Sequence, residues 1–173
     1  MTQRKTTQNK HPLPDIFVDA DGCPVKQEVY RVAKRYGLLV YLVSNVWIDA
    51  PMECWIKVVV VSKEFDAADD WIAEHIAEND IVVSGDIPLA SRCLKKGGYA
   101  VDPRGYIFEE DTIGDSLANR ELMSYLRDMG IMTKGQNPFS QKDRSRFLQR
   151  MEETIQRIQK TIHHKGENNG YSI

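Results

Sequence analysis

The fold of this chain is decided by two short stretches, IFVDADG at residues 16–22 and IVVSGD at residues 81–86. Each is an apolar run that ends in carboxylates, and each is followed by a proline at the start of a helical pattern, Pro24 or Pro88. This pattern predicts a buried strand, a tight turn and then a helix. Because ligands of open α/β sheets bind outside the carboxyl ends of the strands, acids from two strands could converge there on one cation.

Apolar runs alternate with helical patterns between residues 15 and 101, and this alternation predicts an α/β fold. The apolar runs are continuous, which indicates a mostly parallel central sheet of about five strands with helices on both faces. We expect strands at residues 16–18, 38–43, 58–61, 81–83 and 99–101, and helices at 24–36, 66–76 and 88–96.

The chain changes character after the turn at residues 102–105 and becomes a helical C-terminal extension. One helix is predicted over residues 112–129, and it is expected to end there because Gly130 follows. A second follows Ser140 and Asp143, which are spaced as in a capping box, and carries an apolar stripe up to Ile162. We expect this extension to pack on the α/β body.

The length of 173 residues suits a single domain, which we place at residues 15–162. Residues 1–14 are polar and basic and are predicted to be a disordered arm, and residues 163–173 a flexible tail. No apolar run approaches the roughly 20 residues that span a bilayer, and the arm lacks the apolar segment of a secretory signal. The three cysteines lack C-x-x-C spacing, so we expect a cytoplasmic protein without a disulfide framework and with no membrane partner.

Charge is unevenly distributed although the net charge is only −2. Residues 15–115 hold 19 acidic and 10 basic side chains, whereas residues 120–165 hold 5 acidic and 10 basic ones. An acidic body beside a basic segment suits a protein that binds metal in one place and a polyanion in another. The alternative is that the basic residues of the extension are only solvated helix faces. These residues include Arg127, Lys142, Arg144, Arg146 and Arg150.

Asp19 and Asp21 follow the first predicted strand two residues apart, a spacing that places both side chains on one side of the chain. Two carboxylates held together repel each other unless a cation or a shared proton neutralises them. We therefore predict that both bind a metal. The alternative is that Asp21 caps the helix that starts near Pro24 while Asp19 points to solvent.

Further acids lie near two other strand ends. Asp66 and Asp69 start a predicted helix three residues apart and could both reach a site over the sheet edge, whereas Asp70 more simply stabilises the helix start. Asp86 follows the strand at residues 81–83, and its alternative role is a helix cap. Carboxylates without a histidine or thiolate cluster select Mg²⁺ or Mn²⁺, which activate water and neutralise charge on a phosphodiester.

Three polar residues are candidates for binding the substrate. Ser84 could orient the attacking water or a ligand. Arg104 could hold a phosphate, although it could equally pair with Asp102 in its own turn. Arg144, in the basic extension, is a third candidate because an arginine can pair with a phosphate oxygen.

From about Ile16 to Ile158 the chain resembles the bacterial YaiI/YqxD family (UPF0178). The motifs that carry the resemblance are VDADGCP at 18–24, FDAAD at 65–69, DIVV at 80–83 with Asp86 and Leu89-Ala90, PRG at 103–105, Asn119-Arg120, and residues 139–147 with Asp143-Arg144. Two departures stand out: Gly22 replaces a common alanine, and Gln136-Asn137 follow Gly135 where the family often has a Gly-Pro step.

This family is similar to PIN-like and NYN nuclease domains, whose acidic sites bind divalent metal and cleave RNA. Carried over by position, the resemblance implies Asp19, Asp66 and Asp86 as catalytic acids and metal ligands, assisted by Asp21 and Asp69. It also implies Mg²⁺ or Mn²⁺ as the cofactor and nucleic acid, in particular RNA, as the partner.

Three functions are open at this point. The preferred hypothesis is a metal-dependent ribonuclease of the PIN-like kind. The second is a haloacid-dehalogenase-type phosphatase with Asp19 as nucleophile and Asp21 as acid/base; Cys23 and Ala90 count against it, since they stand where a hydroxyl residue and a second acid are expected. The third is an RNA-binding or adaptor protein without catalysis.

Overall fold

The computed structural model describes residues 13–131, 135 and 137–168, which form an α/β fold. Its strands are β1 (Ile16–Asp19), β2 (Val40–Ser44), β3 (Ile56–Val60), β4 (Ile81–Val83), β5 (Tyr99–Val101) and β6 (Ile107–Phe108). Its helices are α1 (Lys26–Tyr36), α2 (Ala67–His75), α3 (Ile87–Lys95), α4 (Ile113–Asp128) and α5 (Gln141–Asn168). The predicted fold class is confirmed.

All six strands belong to one sheet, in the order β3-β2-β1-β4-β5-β6. The first five strands run parallel, and β6 pairs antiparallel with β5. The chain starts in the middle of the sheet, runs outward to β3, and returns through α2 to β4 on the other side of β1. The strand order therefore reverses between β1 and β4, the two strands whose sequences end in acids.

Helices cover both faces because the parallel strands are apolar on both sides. On one face, α1 and α5 pack over a core that contains the fully buried side chains of Val18 and Phe147. On the other, α2 and α3 pack over a second core that contains Phe17, Ile72 and Leu89. Two such layers hold the sheet rigid and set the direction of every strand end.

The two C-terminal helices are attached very differently. α5 begins with the predicted capping box, in which the Ser140 N–H donates to Asp143 Oδ2 at 2.9 Å and the Asp143 N–H donates to Ser140 Oγ at 3.3 Å. Its apolar stripe then buries Met151, Ile155 and Ile158 completely. α4 contacts α3, yet of its sixteen residues, all within the described part of the chain, Ile113 alone is buried.

The structure differs from the predicted elements at a few places. β6 is an additional strand, and β2 and β3 are shifted by one or two residues from the predicted boundaries. The described residues 163–168 of the predicted tail continue α5 as helix. Residues 1–12 of the predicted arm and residues 169–173 lie outside the described residues. Within the described ranges, no helix combines the length and apolar character that a membrane crossing requires.

Candidate functional site

The acids singled out in the sequence gather at the carboxyl edge of the sheet. β1 and β4 are parallel neighbours with Val18 opposite Val83, so Asp19, the last residue of β1, and Ser84, which follows β4, lie next to each other. Ser44 ends β2 on the other side of β1 and is fully buried. Three adjacent strands therefore deliver polar side chains to one edge.

Asp19 is held by a hydrogen bond across this edge. Ser84 Oγ donates to Asp19 Oδ2 at 3.1 Å, and Ser84 is itself buried. Burial raises the pKa of Asp19 above its ordinary value; the bond from Ser84 opposes the rise, and the charges of Asp21 and Asp86 add to it. Asp19 therefore does not point freely to solvent, as the alternative interpretation required.

Asp21 is held in a similar way by the neighbouring strand. Ser44 Oγ donates to Asp21 Oδ1 at 2.5 Å and accepts from the Val46 N–H at 3.1 Å. Asp21 makes no capping bond to α1, whose first residue follows Val25 without a side-chain cap. The helix-cap interpretation of Asp21 is therefore wrong, and one of its carboxylate oxygens is occupied by Ser44.

Asp86 has two roles in the structure. Its Oδ1 accepts from the Leu89 N–H at 2.9 Å, so it caps α3 as the alternative interpretation predicted. Its own N–H donates to Ser84 Oγ at 3.0 Å, which ties it to the serine that also holds Asp19. Its charge is close enough to raise the pKa of both Asp19 and Asp69.

Asp66 and Asp69 approach from the start of α2. Asp66 has a left-handed backbone with φ of 59° and makes no capping bond, an uncommon conformation that aspartate tolerates better than most residues. The pKa of Asp69 is raised from 3.8 to about 6, mainly by burial. The negative charges of Asp86, Asp19 and Asp66 add to the rise, and the positive charge of Arg92 opposes it. Asp70 stays outside this group and forms a surface ion pair with Arg92 at 2.8 Å.

A pocket of about 150 Å³ collects most of these acids, and we call it the acid pocket. The predicted residues that line it are Asp19, Asp21, Asp66 and Asp69. Asn45 and Glu64 also line it and are not among the predicted site residues. The sequence does contain a signal for each, because Asn45 directly follows a strand and Glu64 lies two residues before Asp66.

The donor atoms and their placement decide which metal the acid pocket would fit. All donors are oxygens, and the raised pKa values of Asp19 and Asp69 reflect burial and like-charge crowding that a cation would relieve. Among the described residues, no group of three or more His, Cys, Asp or Glu side chains is placed to hold a metal ion. Mg²⁺ commonly keeps several waters and takes one or two carboxylates plus substrate phosphates. The residues present would fit a hydrated Mg²⁺ or Mn²⁺ rather than a cage made by protein alone.

Arg104 and Arg144, the two arginines predicted to bind substrate, lie away from the acid pocket. Arg104 donates to Asp143 Oδ2 at 3.1 Å and to the Asn137 carbonyl at 2.6 Å. Arg144 donates to the Pro24 carbonyl at 2.6 Å and pairs with Glu28 at 3.3 Å. Both guanidinium groups therefore join the C-terminal extension to the α/β body.

A second and larger cavity reaches the same carboxyl edge of the sheet. It has a volume of about 800 Å³ and is bounded by α4, α5 and the turn between β5 and β6. Gly85 and Ile87, on either side of Asp86, line it as well. We call it the arginine cleft, after the six arginines among its described lining residues: Arg104, Arg120, Arg127, Arg146, Arg150 and Arg157.

Fold and site together define a parallel α/β protein with carboxylates gathered at the carboxyl edge of its sheet. The chain belongs to the YaiI/YqxD family, because the family model described as "Uncharacterized BCR, YaiI/YqxD family" matches residues 17–157. The resemblance seen in the sequence motifs is thereby confirmed at the level of the family.

Similar proteins from several bacteria support this assignment. The chain is 51% identical over 150 residues to a UPF0178 protein of Rhodospirillum centenum, covering 84% of this chain and 97% of the relative. It is 50% identical over 140 residues to a UPF0178 protein of Caulobacter vibrioides, covering 81% of this chain and 92% of the relative. A UPF0178 protein of Brucella ovis is 50% identical over 150 residues, with 86% and 93% covered. No solved structure matches the chain.

Proposed function

We propose that this protein is a divalent-metal-dependent nuclease that hydrolyses RNA phosphodiester bonds at the acid pocket. One observation carries the proposal: acids from two strand ends and a helix start gather at one edge, where burial, and after it their mutual charges, raise the pKa of Asp19 and Asp69. Such crowding opposes folding unless the charges serve a bound cation. The similarity of the family to PIN-like nucleases, which the sequence motifs suggest, supports the same chemistry by analogy.

The chain's own residues have distinct parts in this proposal. Asp19 and Asp69 are the metal ligands, since they are the partly buried acids whose pKa values are raised. Ser84 holds Asp19 in position, and Asp66 and Asp86 add negative charge around the site. A bound Mg²⁺ or Mn²⁺ would supply an activated water and neutralise charge on the phosphodiester. Asp21, held by Ser44, completes the acidic wall.

The experiment is a Mn²⁺-dependent cleavage assay on a pool of RNAs. We expect Asp19→Asn to lower the cleavage rate at least ~100-fold, because a neutral amide binds the cation far more weakly than a carboxylate. Asp70→Asn is the matched control, since Asp70 is an exposed aspartate of the same region that pairs with Arg92 outside the pocket. Cleavage that is absent in the parent protein, or equal in the parent and Asp19→Asn proteins, would contradict the proposal.

A second candidate is RNA binding without catalysis. It is favoured by one observation, that the described residues include no group of three or more side chains placed to hold a metal. RNA binding that persists in a chelator, with no cleavage in Mn²⁺, would decide for it. A phosphorylated Asp19 trapped during turnover of a phosphate monoester would instead decide for the phosphatase hypothesis.

A further inference from the structure

The two long walls of the arginine cleft carry matching stripes of side chains. Along α5, Arg146, Arg150, Glu153 and Arg157 face the cleft, and their spacing of four, three and four residues keeps them on one side of the helix. Along α4, Arg120 and Arg127 lie seven residues apart and face the same cavity. Six arginines and three acids line the cleft among the described residues, so its charge is strongly positive.

The side chains of three cleft arginines, Arg120, Arg127 and Arg157, make no hydrogen bond or ion pair in the described part of the protein. Arg104 and Arg146 pair with Asp143, and Arg150 pairs with Glu153 at 2.9 Å. Arg157 follows Glu153 by one helical turn of α5, whereas the side chains of Arg120 and Arg127 line the cavity and bond to no described residue. Both therefore line one cavity together with four further arginines. Such a concentration of like charge favours an anionic ligand.

The kind of basic side chain in the cleft also limits which ligands the cleft can bind. The cleft contains arginines and, among its described lining residues, no lysine. A guanidinium group binds phosphate oxygens through a planar fork and stacks on flat rings, which a lysine ammonium group does not do. Tyr106 lines the same cleft with its ring half-exposed and packs edge-on against Phe108 at 5.1 Å between centroids. An exposed aromatic ring beside arginines offers a surface on which a base can stack.

Size and position complete the argument. A volume of about 800 Å³ lies in the range of small-ligand sites and accommodates a short stretch of one strand rather than both strands of a duplex. The cleft reaches Gly85 and Ile87, so a strand lying in it passes Asp86 at the border of the acidic edge. The cleft therefore reaches the same carboxyl edge of the sheet as the acid pocket.

We infer that the arginine cleft binds single-stranded nucleic acid, with Arg120 and Arg127 pairing with backbone phosphates and Tyr106 stacking on a base. The inference rests on the proposed function in one respect, that the bound strand is the substrate cleaved at the acid pocket. Binding itself needs no metal, so it is measured separately from cleavage.

The test is fluorescence anisotropy of a labelled single-stranded RNA with the full chain in EDTA, at several salt concentrations. We expect the Arg120→Gln/Arg127→Gln protein to bind at least about tenfold more weakly, and the slope of log affinity against log salt to shrink by roughly 1.4, about 0.7 for each lost phosphate contact. Both residues are exposed, so the variant is expected to fold normally.

The matched control is Arg31→Gln/Lys34→Gln on α1, which removes the same charge from two exposed residues outside the arginine cleft. An equal loss of affinity in the control and cleft variants would overturn the inference, because it would reflect net charge alone. Equally tight binding of duplex RNA would overturn it as well.

A second pair of variants separates nucleic acid from other polyanions. Tyr106→Ala is expected to weaken RNA binding about tenfold, whereas Tyr106→Phe keeps the ring and is expected to bind like the parent protein. Inorganic polyphosphate that competes as well as RNA, or a Tyr106→Ala protein with unchanged RNA affinity, would contradict the nucleic-acid assignment. If the parent protein cleaves RNA with metal while the cleft variants bind RNA normally, binding in the cleft is refuted and the nuclease proposal stands. If the cleft variants bind RNA weakly while the parent protein cleaves no RNA, only the nuclease proposal is refuted.

Discussion

The acid pocket and the arginine cleft both reach the carboxyl edge of the sheet but are built in opposite ways. Negative charges of the pocket are held by buried groups: Ser84 bonds to Asp19 and Ser44 bonds to Asp21. Two of the three arginines of the cleft without an ion pair, Arg120 and Arg127, are carried by α4, a helix that buries a single side chain. Groups held by a rigid sheet keep one geometry, whereas groups on a loosely packed helix can adjust.

Under the proposed function, this difference would suit the two cavities to different ligands. A cation site requires oxygens placed in advance, because a small ion such as Mg²⁺ tolerates little deviation from its preferred geometry. A groove for a flexible strand has no such requirement, and long arginine side chains on a movable wall can follow different sequences. We therefore expect α5 to be the firm wall of the cleft and α4 the adaptable one.

The largest expected effect tests this contrast between the two walls. Ile155→Ala removes a fully buried side chain from α5 and is expected to lower the free energy of unfolding by about 2–5 kcal/mol, measured by urea denaturation. Leu122→Ala on α4 is the control, since Leu122 is half-exposed, and a change within about 0.5 kcal/mol is expected. Similar losses from both substitutions would show that α4 is anchored as firmly as α5.

A smaller effect is expected where the turn between β5 and β6 meets α5. Gly105 has a φ of +87°, and a β-carbon added to it would lie 2.8–2.9 Å from Arg146 and from the Phe147 amide nitrogen. Gly105→Ala is therefore expected to lower the free energy of unfolding by about 2–4 kcal/mol and to weaken RNA binding in the cleft. Both effects are expected because the added β-carbon would displace α5, which forms one wall of the cleft.

A matched glycine in α4 provides the control for this change. Gly114 has nothing within 4 Å of an added β-carbon, so Gly114→Ala is expected to leave stability unchanged or to raise it by up to about 1 kcal/mol. Denaturation curves of the two alanine variants that coincide would contradict the close approach of the turn to α5.

Much of this fold could be predicted from the sequence because its signals are local. Continuous apolar strands, a left-handed Gly37 after α1 and the capping box at Ser140 each depend on a few neighbouring residues. β6 escaped prediction because two residues, Ile107 and Phe108, give no periodic pattern. The observed ends of β2 and β3 differ from the predicted ones because an apolar run does not indicate where the ladder of hydrogen bonds begins.

The candidate site was only partly predictable, for a different reason. Acids at strand ends are a local signal, and four of the five predicted metal ligands do line one pocket. The arginines are not local: Arg104 pairs with a residue 39 positions away and Arg144 with one 116 positions away. Arg127 is among the basic residues that the sequence offers for a polyanion, but its pairing with Arg120 in one cavity follows only from the placement of α4 opposite α5.

The smallest expected effect concerns the crowding of charges in the acid pocket. The pKa of Asp69 is raised from 3.8 to about 6, so between those values the folded protein binds the proton more tightly than the unfolded chain does. Stability in EDTA should therefore fall as the pH rises through this window and stay level above it. Asp69→Asn should remove its own part of that slope, leaving the contribution of Asp19, whose pKa is also raised. After allowance for solvent screening, the variant should be more stable at pH 7 by about 1 kcal/mol. Added Mg²⁺ should stabilise the parent protein more than this variant, because only the parent gains relief of its repelling charges.

Asp70→Asn, outside the pocket, should keep the parent's pH profile. An Asp69→Asn protein with that same profile would show that the acids are too well solvated to repel one another, and the contrast between a strained acid pocket and an adaptable cleft would then be wrong.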